Sequence, residues 1–301
     1  MFDDIYRNKR VLITGHTGFK GSWLALWLSQ MGAKIAGYSQ QSPTEPNHFH
    51  LLRLNMTSVI GDVRDADRLR QVFEEQQPEI VFHLAAQAIV RRSYKDPIET
   101  FTSNVMGTVN VLEAARASGA VRAVVNVTSD KCYENREWPW AYREIDALGG
   151  YDPYSASKGC AEMVTSCWRN SFLNLKEYGR SHQTLLASAR AGNVIGGGDW
   201  AADRLIPDIM RAIQKQEKVK IRNPRATRPW QHVLEPLSGY LLVGQKLLEG
   251  KKEFAEAWNF GPSAGENRSV GEIVNHVKEI WPNIDYEMDQ AADQPHEAGT
   301  L

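Results

Sequence analysis

Cysteine is scarce. Cys132, Cys160 and Cys167 are the only three in 301 residues. That is too few for a disulfide framework, and their spacing fits no zinc motif. Such usage predicts a reducing, cytoplasmic setting. An excess of charge is also missing: 35 Lys and Arg against 36 Asp and Glu leave a formal charge of −1. Nothing global therefore points to nucleic acid or to a membrane surface. No apolar run approaches the length that crosses a bilayer. The opening Met1-Phe2-Asp3-Asp4 carries acid and is unlike a secretory signal. The eight histidines show no metal-ligating spacing, and His48 and His50, in a polar loop, read as solvated side chains. Internal repeats, heptads and long low-complexity segments are absent. What remains is a globular composition, 42% hydrophobic, with material for one large or two modest domains.

The apolar segments alternate in kind. Strand patterns fall at Arg10-Val11-Leu12-Ile13-Thr14, Lys34 to Tyr38, Val59-Ile60, Ile80 to Leu84, Val121 to Val127 and Leu185 to Ala189. Between them lie helical patterns around Ser22 to Leu28, Asp65 to Gln76, Ile98 to Ser118, and Ser155 to about Tyr178. Strands that are nearly all apolar, alternating with helices, predict an α/β fold with a parallel sheet buried on both faces. Such a sheet is doubly wound, a Rossmann arrangement, and binds its ligands at the carboxyl ends of the strands. Beyond about Gly192 the rhythm changes. A Gly196-Gly197-Gly198 loop leads to helices over Leu205 to Gln216 and Glu235 to Leu248, with smaller elements at Trp258-Asn259-Phe260 and Val270 to Ile280. The division expected is a first domain over 1–191 and a smaller substrate-binding part over 192–301, ending in a polar stretch from Asp289.

Gly15-His16-Thr17-Gly18-Phe19-Lys20-Gly21 separates the first strand from the first helix. Glycines there permit a tight turn and close approach of a pyrophosphate to the helix N-terminus. The acid that usually grips the adenosine ribose after the second strand is missing, because that segment reads Gly37-Tyr38-Ser39-Gln40-Gln41. Gln40 or Gln41 can bond the ribose instead. Asp62, next to Val63, is placed either to meet the adenine amino group or to cap the following helix. Ala85-Ala86-Gln87 offers small residues where the fourth strand meets a ligand. Arg222, Arg225 and Arg228, interleaved with Pro224, Pro229 and Trp230, form a basic, stiffened segment suited to a diphosphate and a stacked base, or a solvated face. Trp138 and Trp140, flanking Pro139, suggest a plug or lid.

The sharpest feature is Tyr154-Ser155-Ala156-Ser157-Lys158, preceded by Thr128-Ser129-Asp130-Lys131. Positions four apart on a helix share one face, so an ammonium sits beside a phenol and favours its anion. Asp130 and Lys131 add a second acid/base couple at the end of the fifth strand. Plain alcohol oxidation needs only the first couple.

Taken together, these motifs resemble the extended short-chain dehydrogenase/reductase superfamily, in its nucleotide-sugar branch. The stretches 14–24, 128–133 and 152–158 are similar to the CDP-glucose 4,6-dehydratase family, in which Lys131 replaces the Glu of dehydratases acting on dTDP-glucose. The resemblance implies a lyase that uses NAD and converts CDP-glucose to its 4-keto-6-deoxy derivative, for deoxysugars of surface polysaccharide such as O-antigen. It implies that Tyr154 takes the 4-hydroxyl proton, Thr128 bonds the 4-oxygen, and Lys158 holds the nicotinamide ribose and lowers the tyrosine pKa. Lys131 would take the C5 proton and Asp130 would protonate the departing 6-hydroxyl. Cofactor contacts are implied at Gly15, Thr17, Gly18, Phe19, Lys20, Gly21, Asp62, Val63, Ala85, Ala86, Gln87 and Asn104, besides Tyr154 and Lys158. Asn193, Arg204, Arg228 and Asn267 match positions that meet the nucleotide diphosphate. A homodimer through a four-helix bundle is implied, built from the Tyr154 helix and the helix from about Ile98. The family continues past Leu301, so a truncated substrate part is expected. The rivals on the same fold are a nucleotide-sugar 4-epimerase or reductase and a non-catalytic NAD sensor.

Overall fold

A computed structural model of the protein describes residues 2–138, 140–282, 284–288 and 298–300. Pro139 and most of the polar stretch from Asp289, namely 289–297 and Leu301, lie outside the described residues. Seven strands form one sheet: β1 (Arg10–Thr14), β2 (Lys34–Ser39), β3 (Thr57–Ile60), β4 (Ile80–His83), β5 (Ala123–Val127), β6 (Leu185–Ala191) and β7 (Ala257–Phe260). All pair in parallel, in the order β7-β6-β5-β4-β1-β2-β3. The order reverses between β1 and β4, which opens a crevice at their carboxyl ends.

Side chains along each strand alternate between two separate cores, as the pleat requires. Val11, Ile13, Ile80, Phe82 and Val125 face one layer, with Leu24 and Leu28 of helix α1 (Phe19–Gln30). Leu12, Val81, Val124 and Leu186 face the other, with Leu69, Val72 and Phe73 of α2 (Ala66–Gln76). Next come α3 (Pro97–Phe101), a π-helical turn over Thr102–Met106, and α4 (Gly107–Ser118), which supplies Val111 and Leu112 to that second layer. The N–H of Gly107 reaches back five residues to the Thr102 carbonyl, so one extra residue is accommodated there.

Helix α5 (Pro153–Ser171) begins on Asp152, whose carboxylate accepts from the Ser155 N–H at 2.9 Å. It stops about two turns before the expected end near Tyr178. The Ser171 hydroxyl donates to the Cys167 carbonyl at 2.7 Å, and the Asn174 amide to that of Asn170 at 2.9 Å. Polar side chains thus occupy the last carbonyls in place of a continuing helix.

Substrate-side structure begins after β6. Helices α6 (Leu205–Lys215) and α8 (Val270–Ile280) enclose a small third core of Ile209, Val219, Ile221, Val274 and Ile284. The expected cut at 191/192 does not divide the chain cleanly. Helix α7 (Leu234–Leu248) packs Leu237, Tyr240 and Leu241 into the first layer of the main sheet, and β7 extends that sheet beside β6. Trp258-Asn259-Phe260 is therefore the seventh strand rather than a minor element of the second part. The long apolar face of α7 is buried against the sheet, and the short β7 pairs with the otherwise open edge of β6.

Contact between α7 and β7 depends on Gly239, where an added Cβ would lie 2.1 Å from the Phe260 ring. Gly239→Ala is expected to destabilise the fold by about 1–3 kcal/mol. Urea denaturation checks this, and an unchanged midpoint would contradict the packing of α7 on β7.

Candidate active site

A cleft of about 720 Å³ runs along the carboxyl edge of the sheet, from the β1 turn to the substrate lobe. Its inner end is the glycine turn. Gly15 has a φ of +78°, and a Cβ there would sit 2.8 Å from the Ala85 backbone nitrogen. A Cβ on Gly21 would meet the Gly15 carbonyl at 2.1 Å, so α1 approaches the turn as closely as backbone allows. Gly15, Thr17, Gly18, Phe19, Lys20, Gly21, Asp62, Val63, Ala85, Ala86 and Gln87 all line the cleft. A turn without Cβ atoms and a helix N-terminus at Gly18 suit a pyrophosphate, so these residues fit a dinucleotide.

At the tip of β2, where the ribose-gripping acid is missing, Ser39 bonds Thr17 at 2.9 Å between hydroxyls. Gln40 donates instead to Asp62 at 2.7 Å. Asp62 also accepts from the Arg64 guanidinium, at 2.9 and 2.5 Å. Burial works against ionisation of Asp62, and the bonds from Arg64 and Gln40 outweigh it, holding the carboxyl below its ordinary value. The cap of α2 is Asp65, which accepts from the Arg68 N–H at 3.0 Å, and not Asp62. Asn104 stands behind the cleft and is absent from its wall. Its amide accepts from the Gln87 N–H at 2.8 Å and donates to the Gln87 carbonyl and to Ser157, so it ties the β4 loop to α5.

The middle of the cleft holds the reactive groups. Tyr154 and Lys158 project from α5 and are almost wholly buried, with 7% and 5% exposure. Facing them is the turn after β5, with Ser129 followed by a single 3-10 turn over Asp130–Cys132. Burial pushes the Tyr154 phenol up to about 12; a hydrogen bond with Ser129 and the charge of Arg204 oppose it, while Asp130 and Asp152 add to it. Lys158 donates weakly to the Val127 carbonyl at 3.5 Å. Burial pushes it down to about 8, against the charge of Glu162. The leading influences favouring the phenolate are thus Ser129 and Arg204, rather than the lysine alone.

Thr128 and Ser129 both line the cleft. The Thr128 hydroxyl donates a short bond to Glu162, and Ser129 is the hydroxyl bonded to the phenol. Successive side chains at a strand end turn to different partners, so the Thr128 hydroxyl is committed below the cleft floor while that of Ser129 meets Tyr154. Asp130 accepts from the Ser129 hydroxyl at 3.0 Å, while its other oxygen, Oδ2, is buried with no partner among the described residues. Burial raises its pKa against the charges of Lys131, Lys20 and Arg228. Gly192 leaves room for it, since a Cβ there would lie 2.8 Å from Oδ2. Lys20 reaches past the glycine turn into this cluster. Burial, Arg204 and Lys158 push it down to about 8, and Asp130 alone opposes them. Glycine-turn spacing gave no signal of that reach.

On the substrate side Asn193, Arg204, Arg228 and Trp230 line the cleft, and Asn267 and Arg225 do not. Asn267 is exposed. Arg204 pairs with Asp199 at 3.1 Å. Arg228 donates to the carbonyls of Ala298 at 2.7 Å and Gly299 at 3.2 Å. Trp138 and Trp140 are not in the cleft wall; Trp138 packs against Trp140 and Tyr142, with centroids at 5.3 and 5.6 Å. His48 does line it, stacked on Trp23 at 4.7 Å and bonded to Ser22, so it is not a solvated loop histidine.

A glycine turn at the sheet's switch point, with a buried Tyr-x-x-x-Lys pair beside it, defines a dinucleotide-dependent short-chain dehydrogenase/reductase of the extended type. A sequence profile described as GDP-mannose 4,6 dehydratase matches residues 12–297, and the chain belongs to that family. It is 55% identical over 300 residues to CDP-glucose 4,6-dehydratase of Salmonella typhimurium, covering 99% of this chain and 83% of the relative. Among solved structures it is similar to UDP-glucose 4-epimerase of Thermus thermophilus in complex with NAD (TM-score 0.81, 24% identity, 97% and 89% covered). It is also similar to dTDP-glucose 4,6-dehydratase of Bacillus anthracis in complex with NAD (TM-score 0.75, 21% identity, 93% and 85% covered). These two share the fold.

Two imidazoles support the inner end of the cleft. His16 bonds Ser58 at 2.7 Å, and His83 bonds Thr14 at 2.6 Å. Burial pushes them down to about 4 and about 3, with Lys158 adding to the second. Both are neutral when folded and bind a proton on unfolding below their ordinary value of about 6.5. Stability is then full above about pH 6.5 and falls as pH drops, by about 2 kcal/mol for each histidine at pH 5. Urea denaturation from pH 7.5 to 5 is expected to show this slope, and His83→Gln to reduce it by about one proton.

Proposed function

We propose that the chain is a CDP-glucose 4,6-dehydratase, a hydro-lyase that converts CDP-D-glucose to CDP-4-keto-6-deoxy-D-glucose and water with NAD as resident cofactor. One observation carries this reading: Asp130, with a buried oxygen that has no partner among the described residues, shares the cleft with Tyr154 and Lys158. A 4-epimerase or simple reductase needs the tyrosine and lysine and has no use for an adjacent acid with a lysine beside it. The 55% identity to a CDP-glucose 4,6-dehydratase supports the choice of nucleotide.

NAD bound in the cradle supplies a hydride acceptor at the sugar C4 and later a hydride donor at C6. Everything else falls to the side chains. Ser129 holds the 4-oxygen, and Tyr154 takes the 4-hydroxyl proton. Lys158 steadies the phenolate and the ribose beside it. With a ketone at C4, the C5 proton is acidic, and Lys131 removes it. Asp130 gives its proton to the 6-oxygen as the C6–O bond breaks, releasing water. Burial suits Asp130 to this task by favouring the protonated carboxyl. As hydride returns to C6, Lys131 gives its proton back to C5, and the proton held by Tyr154 passes through Ser129, which bonds both groups, to Asp130, so every side chain ends as it began. Arg204 and Arg228 line the cleft on the substrate side and suit the diphosphate, and Trp230 offers a face to the base.

Incubation with CDP-glucose is expected to yield a product with the strong ultraviolet absorbance of a 4-keto-6-deoxy sugar in alkali. Asp130→Asn should lower kcat by about 10²–10⁴-fold. Formation of CDP-galactose instead would favour the epimerase.

The product class points to deoxysugar supply for surface polysaccharide, such as O-antigen. Sparse cysteine supports a cytoplasmic setting, and no helix among the described residues is long and apolar enough to cross a membrane. A homodimer is supported by apolar side chains left exposed along α3 to α5: Ile98 at 77%, Met163 at 55% and Met106 at 50%. A second copy applied to these helices covers them in a four-helix bundle. Met163→Asp is expected to shift the protein to monomer in light scattering; an unchanged mass would remove this interface.

A further inference from the structure

None of the steps above uses the ion pair between Glu162 and Arg190. Glu162 lies one helical turn beyond Lys158 on α5, and Arg190 stands in β6. Their charged atoms are 2.8 Å apart, and their side chains are only 2% and 4% exposed. Desolvating such a pair is costly, and apolar replacements of both partners often serve folding as well. Stability alone therefore does not explain its presence under the reactive groups.

Its bonds lead to both ends of the catalytic turn. Glu162 accepts from Thr128, the residue before Ser129, and from Ser188 at 2.7 Å. Arg190 donates to the Tyr133 hydroxyl at 2.6 Å and to the Glu144 carbonyl at 3.0 Å. Tyr133 directly follows the Asp130–Cys132 turn, and the guanidinium also lies over its ring at 5.0 Å. The four residues between Thr128 and Tyr133 are thus anchored at either end on one buried pair.

We propose that Glu162 and Arg190 are positioning residues for the dehydration, clamping Ser129–Lys131 opposite Tyr154 through Thr128 and Tyr133 while setting a negative charge beside the Lys158 ammonium. This rests on the dehydratase reading. Besides Glu162 on its own helix, Lys158 faces Cys132 from the turn, His83 from β4 and Lys20 from α1. Cys132 and His83 are kept neutral by burial, and Lys20 is cationic. Glu162 is the first influence opposing the burial that lowers Lys158 to about 8. Without that charge the lysine loses its proton at lower pH, and the alkaline limb of the rate profile moves down.

Because Glu162→Gln alone leaves Arg190 buried and uncompensated, the test uses the double variant Glu162→Gln/Arg190→Met, which removes both charges. On CDP-glucose, kcat is expected to fall at least about 10-fold, with KM within about 3-fold. The alkaline limb should move down by about one pH unit. Amide exchange across 129–133 should quicken relative to the parent. An unmoved limb, or parent-like exchange in 129–133, overturns the proposal. If the double variant does not fold, Thr128→Val decides: it keeps the ion pair and cuts one anchor, so kcat should fall with the limb in place, and parental kcat overturns the clamp. A parent that does not turn over CDP-glucose removes the dehydratase reading, while amide exchange still decides the clamp.

Discussion

Burial of ionisable groups at the carboxyl edge of β5 is the constraint on which the whole site depends. Tyr154, Lys158, Lys20 and Asp130 are each moved by desolvation toward the neutral form. In water the carboxyl and the two amines would sit far from one another in proton affinity; withdrawn from solvent, the amines come down and the carboxyl comes up, while the phenol rises away from its lysine. Proton exchange between carboxyl and amine then crosses a smaller gap. A doubly wound sheet supplies this setting directly, because its switch point is a crevice between layers already closed on both faces.

The main sheet was legible because a parallel strand buried on both sides is mostly apolar, and β1, β4, β5 and β6 read that way despite Asn126, Ser188 and Arg190. Glycine spacing marked the first turn, and four-residue spacing marked the Tyr154 and Lys158 pair. Less legible was anything that depends on which way a side chain turns. Thr128 and Ser129 are neighbours with the same chemistry, and only the strand's pleat sends one to Glu162 and the other to Tyr154. Asp62 and Asp65 are similarly close, and the cap went to the residue immediately before the helix. Trp258-Asn259-Phe260 is too short to declare its partner. Its place in the main sheet follows from α7, which brings the chain back across the first layer.

The substrate lobe was read from composition, and its arginines behave differently from a simple basic face. Arg204 and Arg228 do line the cleft, yet each is held in place by acceptors of the protein, Asp199 for one and backbone carbonyls for the other. A guanidinium fixed in this way presents its remaining donors without the entropy cost of a free side chain. Arg225, close to Arg228 in sequence, and Asn267, well beyond it, fall outside the wall. The third core beneath α6 and α8 sets which face of this segment turns inward.

The π-helical turn at Thr102–Met106 links two surfaces that have no other reason to share a register. Asn104, on its inner side, braces the β4 loop and α5. Met106, two residues on, is exposed toward solvent. The wide turn absorbs its extra residue without rotating α4 against α3, so loss of that residue would restore a regular spiral and leave α4 facing as before. The damage would fall on the local pose of Asn104, and so on the braced cradle rather than on the outward face.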